Sequence, residues 1–243
     1  MFKQILKYAA LAATFLVGTT HATIVEFQTN QGTFQVNLYD QGTPGTVTNF
    51  LRYVDSGSYN GSVIHRSVPG FVVQGGGYFY DGTPNLAFIE DFGAILNEPV
   101  YSNVRGTIAM AKVGGNPNSA TSQWFFNLVD NSANLDLQNG GFTAFGQVIG
   151  DGMTVIDAIA DIAICSGVPM PDFDCLASST PGAENFVIIE QITIVDFAQD
   201  SAKDLNPPLN TLLEIEEPED ESSGGTLFYL LLPLLYLVKR RYL

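Results

Sequence analysis

The run Val63-Ile64-His65-Arg66-Ser67-Val68-Pro69-Gly70-Phe71-Val72-Val73-Gln74-Gly75-Gly76-Gly77 decides how this chain folds. Two short apolar segments flank Pro69-Gly70, and that pattern predicts two strands joined by a tight corner. The period of two along a strand puts 64, 66 and 68 on one side and 65 and 67 on the other. Arg66 therefore shares a face with Ile64 and Val68, and Gln74 stands among Phe71, Val72 and Val73. Both side chains are costly to bury unless they are hydrogen-bonded. Two readings follow: a structural arginine–carboxylate pair at a sheet edge, or a semi-buried arginine serving an apolar groove.

Outward from this run the chain reads mainly as strands. Thr23 to Gln28 and Phe34 to Tyr39 flank Asn30-Gln31-Gly32, a hairpin signal. After Pro44, the spacing of Val47, Phe50, Leu51 and Val54 predicts an amphipathic helix ending near Gly57. Strands are expected at 107–111, 123–129 and 145–149, a second helix over Met153 to Ile164, and one or two closing strands between Asn185 and Phe197. The segments 75–103 and 113–119 are rich in Gly, Pro and Asn and read as surface loops. Gly75-Gly76-Gly77 lacks the Lys-Ser/Thr and the helix of a phosphate loop. Many strands and only two helices predict a mainly β fold: a closed antiparallel barrel with a helix plugging each open end.

Charge and residue inventory narrow the chemistry. Between 23 and 200 the basic residues are Arg52, Arg66, Arg105 and Lys112, against 18 Asp and Glu, a net of −14. Such a surface repels phosphate backbones, so nucleic acid is not a partner. His21 and His65 are the only histidines, and Ser67 has no base to activate it. One domain histidine and two late cysteines, Cys165 and Cys175, make no metal-ligand cluster, and no cofactor is called for. His65, opposite Arg66, reads as a packing or hydrogen-bonding residue rather than a proton carrier.

Three further stretches follow in order: Met110-Ala111-Lys112 closing Gly106-Thr-Ile-Ala; Ser122-Gln123-Trp124-Phe125-Phe126-Asn127; and Leu135-Asp136 with Phe142-Thr-Ala-Phe145-Gly146-Gln147-Val148. With the first run these resemble the cyclophilins, the peptidyl-prolyl isomerase family, over roughly residues 23 to 197. The Ser-Ala-Thr-Ser-Gln spelling looks like the bacterial secreted branch. The resemblance implies an eight-stranded barrel with its groove on the outside. It makes Arg66, with Gln74, the catalytic pair, and assigns Phe71, Val72, Phe125, Leu135 and Phe142 to a proline pocket. Gln74 and Gln123, with backbone at Ala111 and Lys112, would hold the peptide. The implied partners are proline-containing polypeptides and, with reduced affinity, a cyclosporin-like macrocycle. The chain departs from the family pattern at several places. Ile64 precedes His65 where the family has phenylalanine, Trp124 stands in a Phe-Phe pair, and Val72 replaces methionine. Lys112 stands where asparagine or arginine is common, and Asn134 where an aromatic wall residue is usual. A proline-peptide binding module or chaperone with weak catalysis is the alternative, motivated by Asn134.

Both ends look separable from the domain at 23–200. Lys3 and Lys7, the apolar run from Tyr8 to Val17 and Thr20-His21-Ala22 read as a signal peptide over 1–22, cleaved after Ala22. In an exported chain Cys165 and Cys175 point to a disulfide, with two free thiols as the alternative. Residues 201–223 read as an acidic disordered linker, and 224–243 as Gly224-Gly225, an apolar run from Thr226 to Val238 and Lys239-Arg240-Arg241. Thirteen apolar residues as helix reach about 20 Å, less than a hydrocarbon core of roughly 30 Å. The plain reading is a short membrane anchor with its basic end inside, and it also resembles the Gly-Gly sorting tails cut by rhomboid-type proteases. The expected location is therefore the periplasm or cell surface, tethered at least transiently to the inner membrane.

Overall fold

A computed structural model describes residues 23–83, 85–176, 178–196 and 205–213. Strands β1 (Ile24–Thr29) and β2 (Gly32–Leu38) form the expected hairpin, paired from Ile24↔Asn37 to Thr29↔Gly32. Helix α1 (Pro44–Asp55) opens on proline, whose missing donor costs nothing in a first turn. It buries Val47, Phe50 and Tyr53 and packs Leu51 and Val54 half-buried on the same core. No neighbouring side chain caps it. Instead the Glu98 carboxylate accepts the Gly45 and Thr46 N–H groups at 3.1 and 2.7 Å, placing negative charge at the positive end of the helix.

The deciding run forms β3 (Ser62–Val63), β4 (Arg66–Val68) and β5 (Val72–Gly75). Within the stretch expected to be loop, β6 (Tyr78–Phe79) and β7 (Ala87–Phe88) make a two-residue hairpin. Then come β8 (Thr107–Met110), β9 (Trp124–Asn127), the single-turn helix α2 (Ser132–Leu135) and β10 (Ala144–Ile149). Helix α3 (Gly152–Ala160) stops short of the expected 164, because Ile164 belongs to another hairpin, β11 (Ile164–Cys165) with β12 (Val168–Pro169). One long strand, β13 (Ile188–Asp196), closes the series.

One antiparallel sheet runs β4-β5-β9-β8-β10-β2-β1-β13-β3-β6-β7. It has eleven strands where eight were expected, two of the additional ones being the short β6 and β7. The first strand in this order, β4, and the ninth, β3, are separated by Ile64 and His65 alone, which curls the sheet strongly on itself. Ile64 N–H bonds Val187 O on the β13 side, and His65 N–H bonds Gln74 O on β5. The chain changes partners between two residues, and that bend breaks the period of two. Ile64 points into the core, Ser67 is buried, and Arg66 is exposed. The semi-buried arginine sharing a face with Ile64 is thus corrected: the alternation holds only within an unbent strand.

The interior is aromatic. Trp124 is fully buried, with the Phe27 and Phe126 rings both 5.3 Å from it. Outside this core, the exposed edge of β4 is covered by the Cys165–Cys175 loop, since Ser67 N–H donates to Gly167 O at 2.8 Å. The two cysteines are bridged with Cα atoms 5.5 Å apart, and Cys165 packs with Val63, Met170 and Phe186.

Residues 205–213, expected inside the acidic linker, lie against the domain. Ser102 N–H donates to Pro208 O and Asn210 N–H to Val100 O, at 2.9 and 2.8 Å. Among the described residues no helix is long and apolar enough to cross a membrane. The expected signal peptide at 1–22 and tail at 224–243 lie outside the described residues, as does the rest of the linker.

Candidate active site

The site begins as a row across the sheet. Arg66 on β4 is paired with Gln74 on β5, Gln74 with Phe125 on β9, Phe125 with Ala109 on β8, and Ala109 with Ala144 on β10. Directly paired residues present their side chains on the same face. The next residues along, Val73, Phe126 and Ile108, face the interior, so this row lies on the outside of the curled sheet. Val72, Phe125 and Leu135 form a separate apolar cluster there, with Phe71 and Phe142 packed at its rim.

The cavity over this cluster holds about 230 Å³ and is lined by Arg66, Phe71, Val72, Gln74, Ala111, Lys112, Phe125, Leu135, Gln138 and Phe142. Phe125 and Phe142 meet edge to face at 5.8 Å, a geometry aromatic rings favour. All the expected pocket residues therefore converge. Of the peptide-holding residues, Gln123 stands behind the wall: Gln74 Nε2 donates to Gln123 Oε1 at 2.9 Å, while Gln74 Oε1 accepts from Arg66 Nη1 at 3.1 Å. The Arg66 guanidinium is thus steadied by a neutral amide chain and not by a carboxylate. The ion pair among the described residues, Arg105 with Asp157, lies on other elements. Gly77 is what admits Gln123, because a Cβ at 77 would lie 2.8 Å from Gln123 Cδ.

Two neighbours carry shifted ionisation. Burial lowers the His65 imidazole to about 4, opposed by hydrogen bonding to the Gln123 side chain. His65 meets Tyr78 edge to face with ring centres 4.7 Å apart, so it packs at the site's border. Lys112 Nζ donates to Asn139 O and Gly141 O at 2.9 and 2.6 Å and sits 4.7 Å from the Phe142 ring centre. Burial lowers its ammonium to about 8. Its side chain, for which no role was expected, ties down the wall of the pocket.

Asn134 is exposed and does not line the cavity, whereas Gln138, not anticipated, does. Gln138 sits in an irregular loop where Asn139, Gly140 and Gly141 all have positive φ. Its direction comes from those turns and leaves no period in the sequence.

The family model of the cyclophilin type peptidyl-prolyl cis-trans isomerases matches residues 24–176. A peptidyl-prolyl cis-trans isomerase of Acinetobacter baylyi is 39% identical over 163 residues, covering 65% of this chain and 84% of that protein. Peptidyl-prolyl cis-trans isomerase B of Escherichia coli is 40% identical over 144 residues, covering 58% and 85%. Among solved structures, a Cryptosporidium parvum cyclophilin type isomerase determined in the presence of the dipeptide Ala-Pro has a TM-score of 0.54. It is 23% identical and covers 71% of this chain and 99% of its own, a likeness of fold. With every residue of the cavity lining inside the matched stretch, the chain belongs to the cyclophilin-type peptidyl-prolyl cis-trans isomerase family.

Proposed function

We propose that the chain catalyses cis–trans isomerisation of X-Pro bonds, with Arg66 acting on the twisted amide above the apolar pocket. One observation carries this reading: a guanidinium with no carboxylate partner among the described residues is held by Gln74 at the mouth of a pocket floored by Val72, Phe125 and Leu135. The barrier to rotation is the loss of amide resonance, about 18–20 kcal/mol. A proline ring seated among Phe71, Phe125 and Phe142 stays fixed while the preceding carbonyl rotates. Once conjugation breaks, the prolyl nitrogen regains a lone pair, and a donor aimed at it binds the transition state better than the ground state. Arg66 supplies a permanent charge in a rigid fork. Each tenfold in rate requires about 1.4 kcal/mol of that difference.

The test is a protease-coupled isomerisation assay with an Ala-Pro tetrapeptide. Acceleration proportional to enzyme concentration is expected. Peptide binding without acceleration would favour the alternative, a proline-peptide binding module. Asn134, which motivates that alternative, is exposed and contributes no wall to the cavity.

The export reading rests on sequence. Lys3 and Lys7 ahead of an apolar run, and the apolar run before Lys239-Arg240-Arg241, support a chain exported and tethered by its C-terminal tail, open to a rhomboid-type protease near Gly225. Its clients would then be proline-containing exported proteins.

A further inference from the structure

We propose that residues 205–213, beyond the family-matched stretch, are a positioning element of the proline pocket, acting through Asn210 on the loop between Leu135 and Phe142. The proposal rests on the isomerase reading of the same site. Leu135 and Phe142 are wall residues at the two feet of one loop, joined at its neck by Phe142 N–H to Leu135 O at 2.8 Å. Between them, Asn139, Gly140 and Gly141 have φ of 55, 73 and 72°, a conformation that Asn and Gly tolerate but that leaves the loop's carbonyls to be satisfied from outside it.

Donors from elsewhere hold it. Lys112 takes the carbonyls of 139 and 141, Asn97 Nδ2 those of 140 and 141, and Asn103 Nδ2 that of Phe142. The carbonyl of Asp136, directly after Leu135, is taken by Asn210 Nδ2 at 2.9 Å in a fully buried setting. Asn210 is itself 4% exposed and is held by its own N–H on Val100 O. Three residues on, Leu213 covers the loop's far end: a Cβ at Gly141 would lie 2.9 Å from Leu213 Cδ1. The strap thus touches the wall loop at both feet and leaves the catalytic face of Arg66 untouched. Removing the Asn210 amide leaves a buried carbonyl without its donor, and the cheapest relief is for the loop to move toward water, carrying Leu135 and Phe142 with it.

The experiment compares Asn210→Asp, Leu213→Ala and the strap control Leu209→Ala, whose side chain is 60% exposed, in the full-length chain. Asn210→Asp keeps size and backbone hydrogen bonds but turns the donor into a buried carboxylate oxygen facing the Asp136 carbonyl, replacing attraction with repulsion. On an Ala-Pro tetrapeptide, KM and the calorimetric Kd rise at least about tenfold in Asn210→Asp, the lost hydrogen bond to a buried group setting the lower bound. Leu213→Ala raises them less, kcat stays within about twofold for both, and Leu209→Ala resembles wild type. Unchanged KM and Kd in Asn210→Asp and Leu213→Ala, or activity lost only in proportion to the unfolded fraction, overturns the proposal. Should Asn210→Asp not fold, Leu213→Ala carries the same readout. A wild-type chain that binds the peptide without accelerating its exchange sinks the isomerase reading alone, since Kd still reports the wall.

Discussion

Arg66 is exposed and bonded to a neutral amide, so its contribution to stability is small and its contribution to chemistry is separable. Arg66→Ala is expected to slow isomerisation at least about tenfold, or about 1.4 kcal/mol of transition-state stabilisation, with the thermal midpoint nearly unchanged. A midpoint that falls together with activity would make the residue structural. His65 gives the opposite case, a group whose effect is on stability. Its folded value of about 4 lies below its ordinary 6.5, so the native state resists the proton that the unfolded chain accepts. Stability attributable to His65 is therefore full above pH 6.5 and is lost as pH falls from 6.5 to 4. The loss is at most roughly 3 kcal/mol. Urea titrations of wild type and His65→Gln across that range test it. The variant should lose less stability on acidification; parallel losses would mean the imidazole is not the group being titrated.

Among elements, β11–β12 is a hairpin that, like β6–β7, no strand pattern announced. It lies along the free edge of β4 through Ser67 N–H to Gly167 O, and an uncovered edge is where sheets pair wrongly. The Cys165–Cys175 bridge closes a ten-residue separation around it, worth about 2–3 kcal/mol in the chain-entropy estimate. Replacing both cysteines by alanine should lower stability by that amount and speed amide exchange at Ser67, while exchange in α1 changes only with global stability. Slow exchange retained at Ser67 would show that the hairpin covers the edge without its bridge. Two departures from the family pattern also meet at one element. Ile64, where phenylalanine is usual, and Trp124, in a Phe-Phe position, both crowd Gly75: a Cβ there would lie 3.1 Å from Ile64 Cδ1 and 2.7 Å from Trp124 Cη2. A smaller residue on one strand and a larger one on its neighbour keep the core volume, the exchange cores tolerate best.

At the scale of the molecule, the described fold begins at Thr23, the residue that follows the expected cleavage after Ala22. Thr23 is 2% exposed, and its N–H and hydroxyl both donate to the Asp40 carboxylate at 2.8 Å. Cleavage there would turn the amide donor into an ammonium, making a shielded ion pair of a hydrogen bond. A chain starting at Thr23 is expected to be more stable than one retaining Ala22 by about 1 kcal/mol, and Asp40→Asn should abolish the difference. Equal stabilities would leave the new terminus unpaired. Intact mass of the protein recovered from the cell envelope reads both ends together: a start at Thr23 supports export. Loss of everything beyond about Gly225 supports processing of the tail, and a soluble chain still carrying Leu243 refutes tethering.

Order along the chain was enough for much of this. The hairpin at 24–38, the helix at 44–55 and the convergence of Arg66, Gln74, Phe125 and Phe142 are legible in local pattern and motif, because each depends on neighbours in sequence or on a fixed strand period. Whether Arg66 was buried was not legible, since the bend between β3 and β4 comes from a change of partner that cannot be seen locally: Ile64 answers to Val187, 123 residues on, and His65 to Gln74, nine residues on. Gln138 in the cavity, Lys112 and Asn210 on the wall loop, and Glu98 on the helix end share that origin. Lys112, Asn210 and Glu98 each satisfy a backbone group left open by an irregular turn or a helix terminus, and which side chain arrives there is decided only when distant segments pack.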